Sequence, residues 1–308
     1  MSVDGVSIVV PVFRSETTLE ELVRRLKAST ESLAPAFEIL LVEDGGGGGS
    51  WELIQKLAGL DARVRGLRLG RNYGQHNALL CGIRAARYET IVTLDDDLQH
   101  PPEEIPLLLK ALEEGYDVVY GFPLKKQHGF WRRLNSRLVK LVLRNGMGEE
   151  TAERMSPFRA FRTSLRDAFS DFKSPFVSID ALLTWGTNRF LSVDVRHDPR
   201  KNGKSNYTIG KLLLHGINVL AGFSTIPLRL ASLLGFGMTL FGLAVLSYVV
   251  GRYLITGSSF PGFPFLASVI SIFAGTQLFA LGIIGEYLAR MHERLIEKPA
   301  YMVRATTF

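Results

Sequence analysis

A single cysteine among 308 residues, Cys81, excludes an internal disulfide. It sits in NALLCGI, where a small core residue is its expected role. No basic, apolar leader with a cleavage site is evident at the start, because SIVVPVF is short and contains Pro11, so no signal peptide is expected. No Gly-x-Gly-x-x-Gly follows that first apolar run. The glycines of EDGGGGGS lead to Ser50 with no lysine before it, so a phosphate-binding loop of the Walker type is also excluded. Charge is missing from two stretches, Leu230–Val250 and Tyr253–Gly285.

Those stretches are long enough to cross a bilayer. We read spans at about 230–252 and 263–285, joined by a turn containing TGSSFPG. Arg229 precedes the first span, and Arg290, Arg294, Lys298 and Arg304 follow the second, while Arg252 is a minor dissent on the far side. This bias predicts both termini on the cytoplasmic side. The formal net charge of +6 comes without a nucleic-acid recognition motif, and the basic residues gather near the spans. An anionic membrane surface is therefore the expected partner, and nucleic acid is not.

Upstream, apolar runs alternate with helical periodicity. SIVVPVF, FEILLVED, VRGLRLG, TIVTLDDD and DVVYGFP have the character of strands. TTLEELVRRLKAS places Leu19, Leu22, Val23 and Leu26 on one helical face, and SWELIQKLAGL, QHNALLCGIRAAR and PPEEIPLLLKALEEG complete a set of helices, with Ser50 an expected N-cap. The alternation predicts an α/β fold with a mostly parallel, Rossmann-like sheet. We expect a cytoplasmic catalytic domain over 1–205, a juxtamembrane amphipathic segment over 206–228, two transmembrane helices within 229–287, and a cytoplasmic C-terminal tail over 288–308.

TIVTLDDDLQHPPEE ends an apolar strand in Asp95, Asp96 and Asp97. Three adjacent carboxylates repel unless water or a cation offsets them. Either a solvated acidic loop or a divalent-cation site with hard oxygen ligands fits. The ends of the first, second and fourth strands (Pro11–Phe13, Glu43–Asp44 and Asp95–Asp97) converge on one crevice in a doubly wound sheet, where ligands bind. The glycine run is either a floppy loop or a backbone that lets a nucleotide approach closely.

The motifs VVPVFRSE, LLVEDG, RNYGQHNALLCGI, LDDDLQHPPEEIP, FRAFR, GKSNYT, STIPLRLASLLG and FALGIIGEYLAR, in this order, resemble family-2, GT-A-fold glycosyltransferases that load a sugar onto a polyisoprenyl phosphate. That group includes dolichol-phosphate mannose synthase and bacterial undecaprenyl-phosphate glucosyl and 4-deoxy-4-formamido-L-arabinose transferases. The resemblance implies that Asp95, Asp97 and Gln99 hold Mg²⁺ or Mn²⁺ and the donor phosphates. Asp96 stands where the family often has a small residue. Asp44 is implied to contact the nucleotide base, and Pro11, Phe13 and Glu16 are aligned with a Pro-x-Tyr-Asn-Glu signature, with Phe for Tyr, Arg14 for Asn and Glu16 one position beyond the signature's Glu. Arg71 and Gly74 belong to the loop beside the nucleotide. Where the family has Asp-Gly-Ser-x-Asp-Gly-Ser, this chain keeps Asp44 and Ser50 but has Gly46 and Gly48 for the inner Ser and Asp.

A lipid phosphate needs cations, for which Arg132, Ser136, Arg200, Lys204 and Ser205 are the candidates. Asp180 is the spare carboxylate to test as a base, with helix capping as its other role. The expected partners are a nucleotide sugar, with UDP favoured by the bacterial resemblance, polyisoprenyl phosphate, the membrane, and further copies of the chain in a tetramer. The expected location is the bacterial inner membrane, multi-pass. A catalytically impaired sugar-nucleotide-binding scaffold and a polysaccharide synthase are the alternatives.

Overall fold

The computed structural model describes residues 5–123, 154–199, 225–257 and 262–308, with the isolated positions 147 and 151. It separates into two compact units, Met1–Gly216 with Glu297–Phe308, and Ile217–Ile296.

The first unit is built on an eight-stranded sheet of order β7-β5-β6-β4-β1-β2-β3-β8. Its strands are β1 (Val6–Val12), β2 (Phe37–Glu43), β3 (Val64–Leu69), β4 (Thr90–Thr93), β5 (Val118–Pro123), β6 (Arg159–Arg162), β7 (Phe190–Val195) and β8 (Val303–Thr306). Strands β4, β1, β2 and β3 run parallel, whereas β6 pairs antiparallel with β4 and β5, and β8 antiparallel with β3. The expected mostly parallel sheet is thus observed, with β6 and β8 as antiparallel additions. All residues of β1, β2 and β4 are buried, as both faces of a covered parallel sheet require.

Helices α1 (Leu19–Thr30), α2 (Ser50–Leu60), α3 (Gln75–Ala85), α4 (Ile105–Glu113) and α5 (Ile179–Gly186) supply the cover. Leu19, Leu22, Val23 and Leu26 of α1 are buried, as their spacing predicts. On α3, a Cβ at Gly82 would lie 2.3 Å from a Val9 methyl, so glycine is what lets this helix approach β1. Cys81 beside it is buried, which drives its thiol pKa up to about 12. Ser50 is not the N-cap of α2: Gly49 occupies that position and Ser50 is the first helical residue.

The C-terminal stretch, expected as a tail, contributes β8 to the sheet edge through Leu67↔Thr306 and Leu69↔Val303. This strand closes an otherwise open edge on β3.

The second unit contains α6 (Ile226–Thr256) and α7 (Gly262–Leu295). Both are long and apolar enough to cross a membrane, over Ile226–Ile255 and Ile272–His292. The second window starts and ends later in the chain than the run at 263–285. Leucines such as Leu243 and Leu278 stand exposed along these helices, the reverse of a water-soluble surface. A Cβ at Gly242 would come 2.8 Å from the Phe273 ring, so a small residue permits the two helices to touch. Most of the segment expected to be juxtamembrane, 206–224, lies outside the described residues.

Candidate functional site

The chain leaves β1 to build β2 and β3 on one side, then returns to place β4 on the other. The gap between the carboxyl ends of β1 and β4 is therefore the topological switch point of the sheet, where open α/β sheets bind ligands. Phe13–Glu16 follow β1, and Asp95–Asp97 follow β4.

The three aspartates do three different things. Asp95 Oδ1 accepts a hydrogen bond from the Gln75 amide at the start of α3. Asp96 is turned into the protein: its carboxylate accepts the Phe13 N–H at 3.1 Å and the Ser15 hydroxyl, while its carbonyl accepts the Thr18 hydroxyl at 2.8 Å. Burial raises the Asp96 carboxyl pKa, opposed by the Ser15 and Phe13 bonds. Asp96 thus binds the loop after β1 to the loop after β4. Asp97 Oδ1 accepts the Gln99 N–H at 3.1 Å across Leu98, a buried residue held at φ 60°. A bulky residue in the left-handed region costs about 1–2 kcal/mol, which its burial offsets.

Two histidines that no local pattern singled out complete this corner. His197 follows β7, and its Nε2 lies 3.5 Å from the Gln99 amide nitrogen. His100 packs with its ring centroid 4.9 Å from that of His197. Burial lowers the His100 pKa to about 4, so it is neutral near pH 7. The Nδ1 atoms of both rings are buried without a hydrogen-bond partner. The backbone of the His197 loop is fixed by Asp198 N–H donating to Gln99 O at 2.9 Å. Among the described residues, no three His, Cys, Asp or Glu side chains form a ready metal cage.

On the other flank, Asp44 is buried and its two oxygens accept the N–H groups of Tyr73 at 2.7 Å and Gly74 at 2.8 Å. Its burial drives the carboxyl pKa up to about 6. In this structure Asp44 clamps the loop between β3 and α3, with both oxygens occupied by backbone. Arg71 on that loop is exposed and stacks on Tyr73, 4.4 Å from the ring centroid. Gly74 is the N-cap of α3, at φ 95°.

The glycine run is an ordered turn. Gly45, Gly47 and Gly48 have φ of 60°, 63° and 81°. A Cβ at Gly45 would sit 2.1 Å from the Arg71 backbone, so the turn and the β3–α3 loop pack backbone to backbone. The Glu43 carboxylate accepts the Gly46 N–H at 2.7 Å. Ser50 donates to Glu16 Oε1 at 3.0 Å and accepts the Ser15 N–H. The Glu16 carboxyl pKa is lowered, first by its own backbone N–H. Pro11 is buried within β1.

Asp180 lies on the first turn of α5, but Ser178 holds the N-cap position, so Asp180 is not the cap. It pairs with Arg159 of β6, which is 2% exposed, and accepts the Tyr120 hydroxyl at 2.9 Å. Arg159 pairs in register with Thr93, placing this triad at the carboxyl end of β4. Arg132, Ser136, Arg200, Lys204 and Ser205 lie outside the described residues.

The Glycosyl transferase family 2 model matches residues 7–171, the stretch that contains the glycine turn and Asp44, Asp95, Asp96 and Asp97. The chain belongs to glycosyl transferase family 2. The transferase is 37% identical to an undecaprenyl-phosphate 4-deoxy-4-formamido-L-arabinose transferase of Pseudomonas aeruginosa, over 99% of this chain and 92% of that one. It is 33% identical to a protein of the same description from Yersinia pestis, over 97% and 92%. Its fold resembles glucosyl-3-phosphoglycerate synthase of Mycobacterium tuberculosis, crystallised with Mn²⁺, UDP and glucosyl-3-phosphoglycerate. That match has a TM-score of 0.52 at 18% identity and covers 71% of this chain and 78% of that one. A second structure of the same synthase, with Mn²⁺, UDP-glucose and phosphoglyceric acid, matches at TM-score 0.52 and 17% identity over the same shares. These establish the GT-A, Rossmann-like fold.

Proposed function

We propose that this transferase moves a sugar from a UDP-sugar to undecaprenyl phosphate, or a polyisoprenyl phosphate of similar length, at the bacterial inner membrane. The observation that carries the reading is Asp95 and Asp97 standing at the switch point of a family-2 sheet whose chain also has two helices apolar enough to span a bilayer. The relatives named above act on undecaprenyl phosphate, and the structural neighbour was crystallised with UDP and Mn²⁺.

The donor set fits a divalent ion. Asp95 and Asp97 offer hard oxygens, Gln99 an amide oxygen, and His197 a ring whose Nδ1 has no hydrogen bond. Mg²⁺ or Mn²⁺ held there, with the donor's own oxygens completing the shell, would neutralise the charge on the leaving diphosphate.

The chain's residues do the rest. Asp96 fixes the β1 and β4 loops against each other, and Asp44 fixes the β3–α3 loop, so the donor meets a preformed crevice. Phe13, Glu16, Arg71 and Gly74 line its nucleoside side, with Pro11 buried in β1 behind them. The acceptor phosphate is largely dianionic near pH 7, so it attacks the anomeric carbon without a strong general base. The carbon–oxygen bond to the diphosphate breaks as the bond to the acceptor oxygen forms, with inversion. Arg132, Ser136, Arg200, Lys204 and Ser205 bind the lipid phosphate. Asp180, held by Arg159 and Tyr120, orients groups on the acceptor side. The helices make the protein multi-pass, with the catalytic unit cytoplasmic, and four copies assemble.

The full-length protein, given undecaprenyl phosphate and a panel of radiolabelled nucleotide sugars, is expected to form one labelled lipid, and to stop when EDTA is added. Absence of a lipid product from every donor would sink the reading and favour a donor-binding scaffold.

A further inference from the structure

Arg14 is one of three non-glycine residues with a left-handed backbone in the described chain, at φ 55°. Its side chain is committed to the glycine turn: Nε donates to Gly46 O at 2.8 Å. Its guanidinium carbon lies 5.4 Å from the centroid of the Phe13 ring. The glycines make this possible. A Cβ on Gly46 would lie 3.0 Å from the Phe13 ring and 3.2 Å from Arg14 Cγ, and one on Gly48 would lie 2.6 Å from Glu16 Oε1. The stretch therefore lacks side chains where Phe13, Arg14 and Glu16 occupy the room. Arg14 itself is exposed, and its terminal nitrogens have no hydrogen-bond partner among the described residues.

We infer that Arg14 is the residue with which this chain recognises the nucleoside end of its donor, by pairing with the carbonyl edge of a uracil base. The inference rests on the proposed donor site and deepens it. Direction follows from the sheet order. A nucleoside reaching from a diphosphate at Asp95 and Asp97 across β1 toward β2 would meet Arg14, which is tied to that side through Gly46. Chemistry follows from the guanidinium, which donates in a rigid planar fork and accepts nothing. It suits the O4 carbonyl of uracil and opposes the exocyclic amine of cytosine. The bond to Gly46 O removes rotamer freedom before the ligand arrives. The bare glycine backbone leaves room for the ring to approach.

The test is nucleotide binding to the full-length protein in detergent with Mn²⁺, comparing UDP with CDP, together with melting curves and donor kinetics. Asn tolerates the left-handed backbone better than Arg, so Arg14→Asn is expected to melt at the same or a higher temperature. It is nevertheless expected to bind UDP about tenfold more weakly, the loss of one bond to a charged donor. Its preference for UDP over CDP should shrink, and donor KM should rise more than kcat falls. Arg14→Lys keeps the charge but not the fork, so the UDP preference should shrink there too. Unchanged UDP affinity in Arg14→Asn, or an equal loss for UDP and CDP, overturns the inference. If the unmodified protein binds neither nucleotide, the donor site itself is wrong and Arg14 falls with it.

Discussion

The two ends of the central sheet each bury an arginine–carboxylate pair, and they are finished differently. At the amino end, Glu38 and Arg65 have side chains 4% and 7% exposed. Glu38 also accepts the Ser7 hydroxyl at 2.7 Å and the Arg87 N–H at 2.8 Å, and the Phe308 ring covers the Arg65 guanidinium at 3.6 Å. At the carboxyl end, Arg159 is as deeply buried, but Asp180 is 17% exposed; the Nε atoms of Arg65 and Arg159 are alike in being buried without a hydrogen bond. The first pair is shut away from solvent on both sides. The second is left partly open beside the crevice. A pair shut away from solvent serves the fold, because separating its strands would strand two desolvated charges. An open pair keeps capacity for another molecule.

Mutation sharpens the contrast. The largest effect is expected at the open end: Asp97→Ala should lower transfer by at least about 100-fold with an unchanged melting temperature, as loss of a charge-neutralising ligand does. Measuring turnover and melting on the same preparation checks it, and full turnover would break the division between the ends. At the closed end, Glu38→Ala strands Arg65 and should cost about 3–5 kcal/mol of stability in denaturant unfolding, with donor KM of the folded protein unaffected. Asp96→Ala removes two hydrogen bonds that join the β1 and β4 loops, so about 1–3 kcal/mol of stability and some donor affinity should go together.

The smallest effect concerns pH. The Asp44 carboxyl has its pKa raised to about 6 by burial. The folded state therefore holds a proton that the unfolded chain has already released. Stability from this group is present below the unfolded value near 4 and is lost as pH rises to about 6. Asp44→Asn should flatten that slope in unfolding curves recorded from pH 4 to 7. An identical slope would assign it to another group.

Much of the molecule was legible because its signals are local. Apolar runs as short as TIVT announced strands, and the spacing of Leu19, Leu22, Val23 and Leu26 announced a buried helix face. The acidic cluster at a strand end located the crevice. What stayed hidden depends on contacts across the chain. Asp95, Asp96 and Asp97 are chemically identical in sequence, and only the Phe13 and Ser15 partners, some eighty residues away, decide which one faces inward. His100 and His197 are a bland pair until β7 is laid beside β5. Asp180 looked like a cap because the buried Arg159 was far off in sequence. The strand Val303–Thr306 is four mostly exposed residues, too short and polar to stand out.

That last strand has a consequence for biogenesis. Thr306 pairs with Leu67, so a strand made after both apolar helices completes a sheet that starts at Val6. The enzyme's edge stays unzipped until both apolar helices have been made, which ties maturation of the catalytic half to delivery of the chain to its membrane. A purification tag joined directly to Phe308 would crowd the ring that seals Arg65.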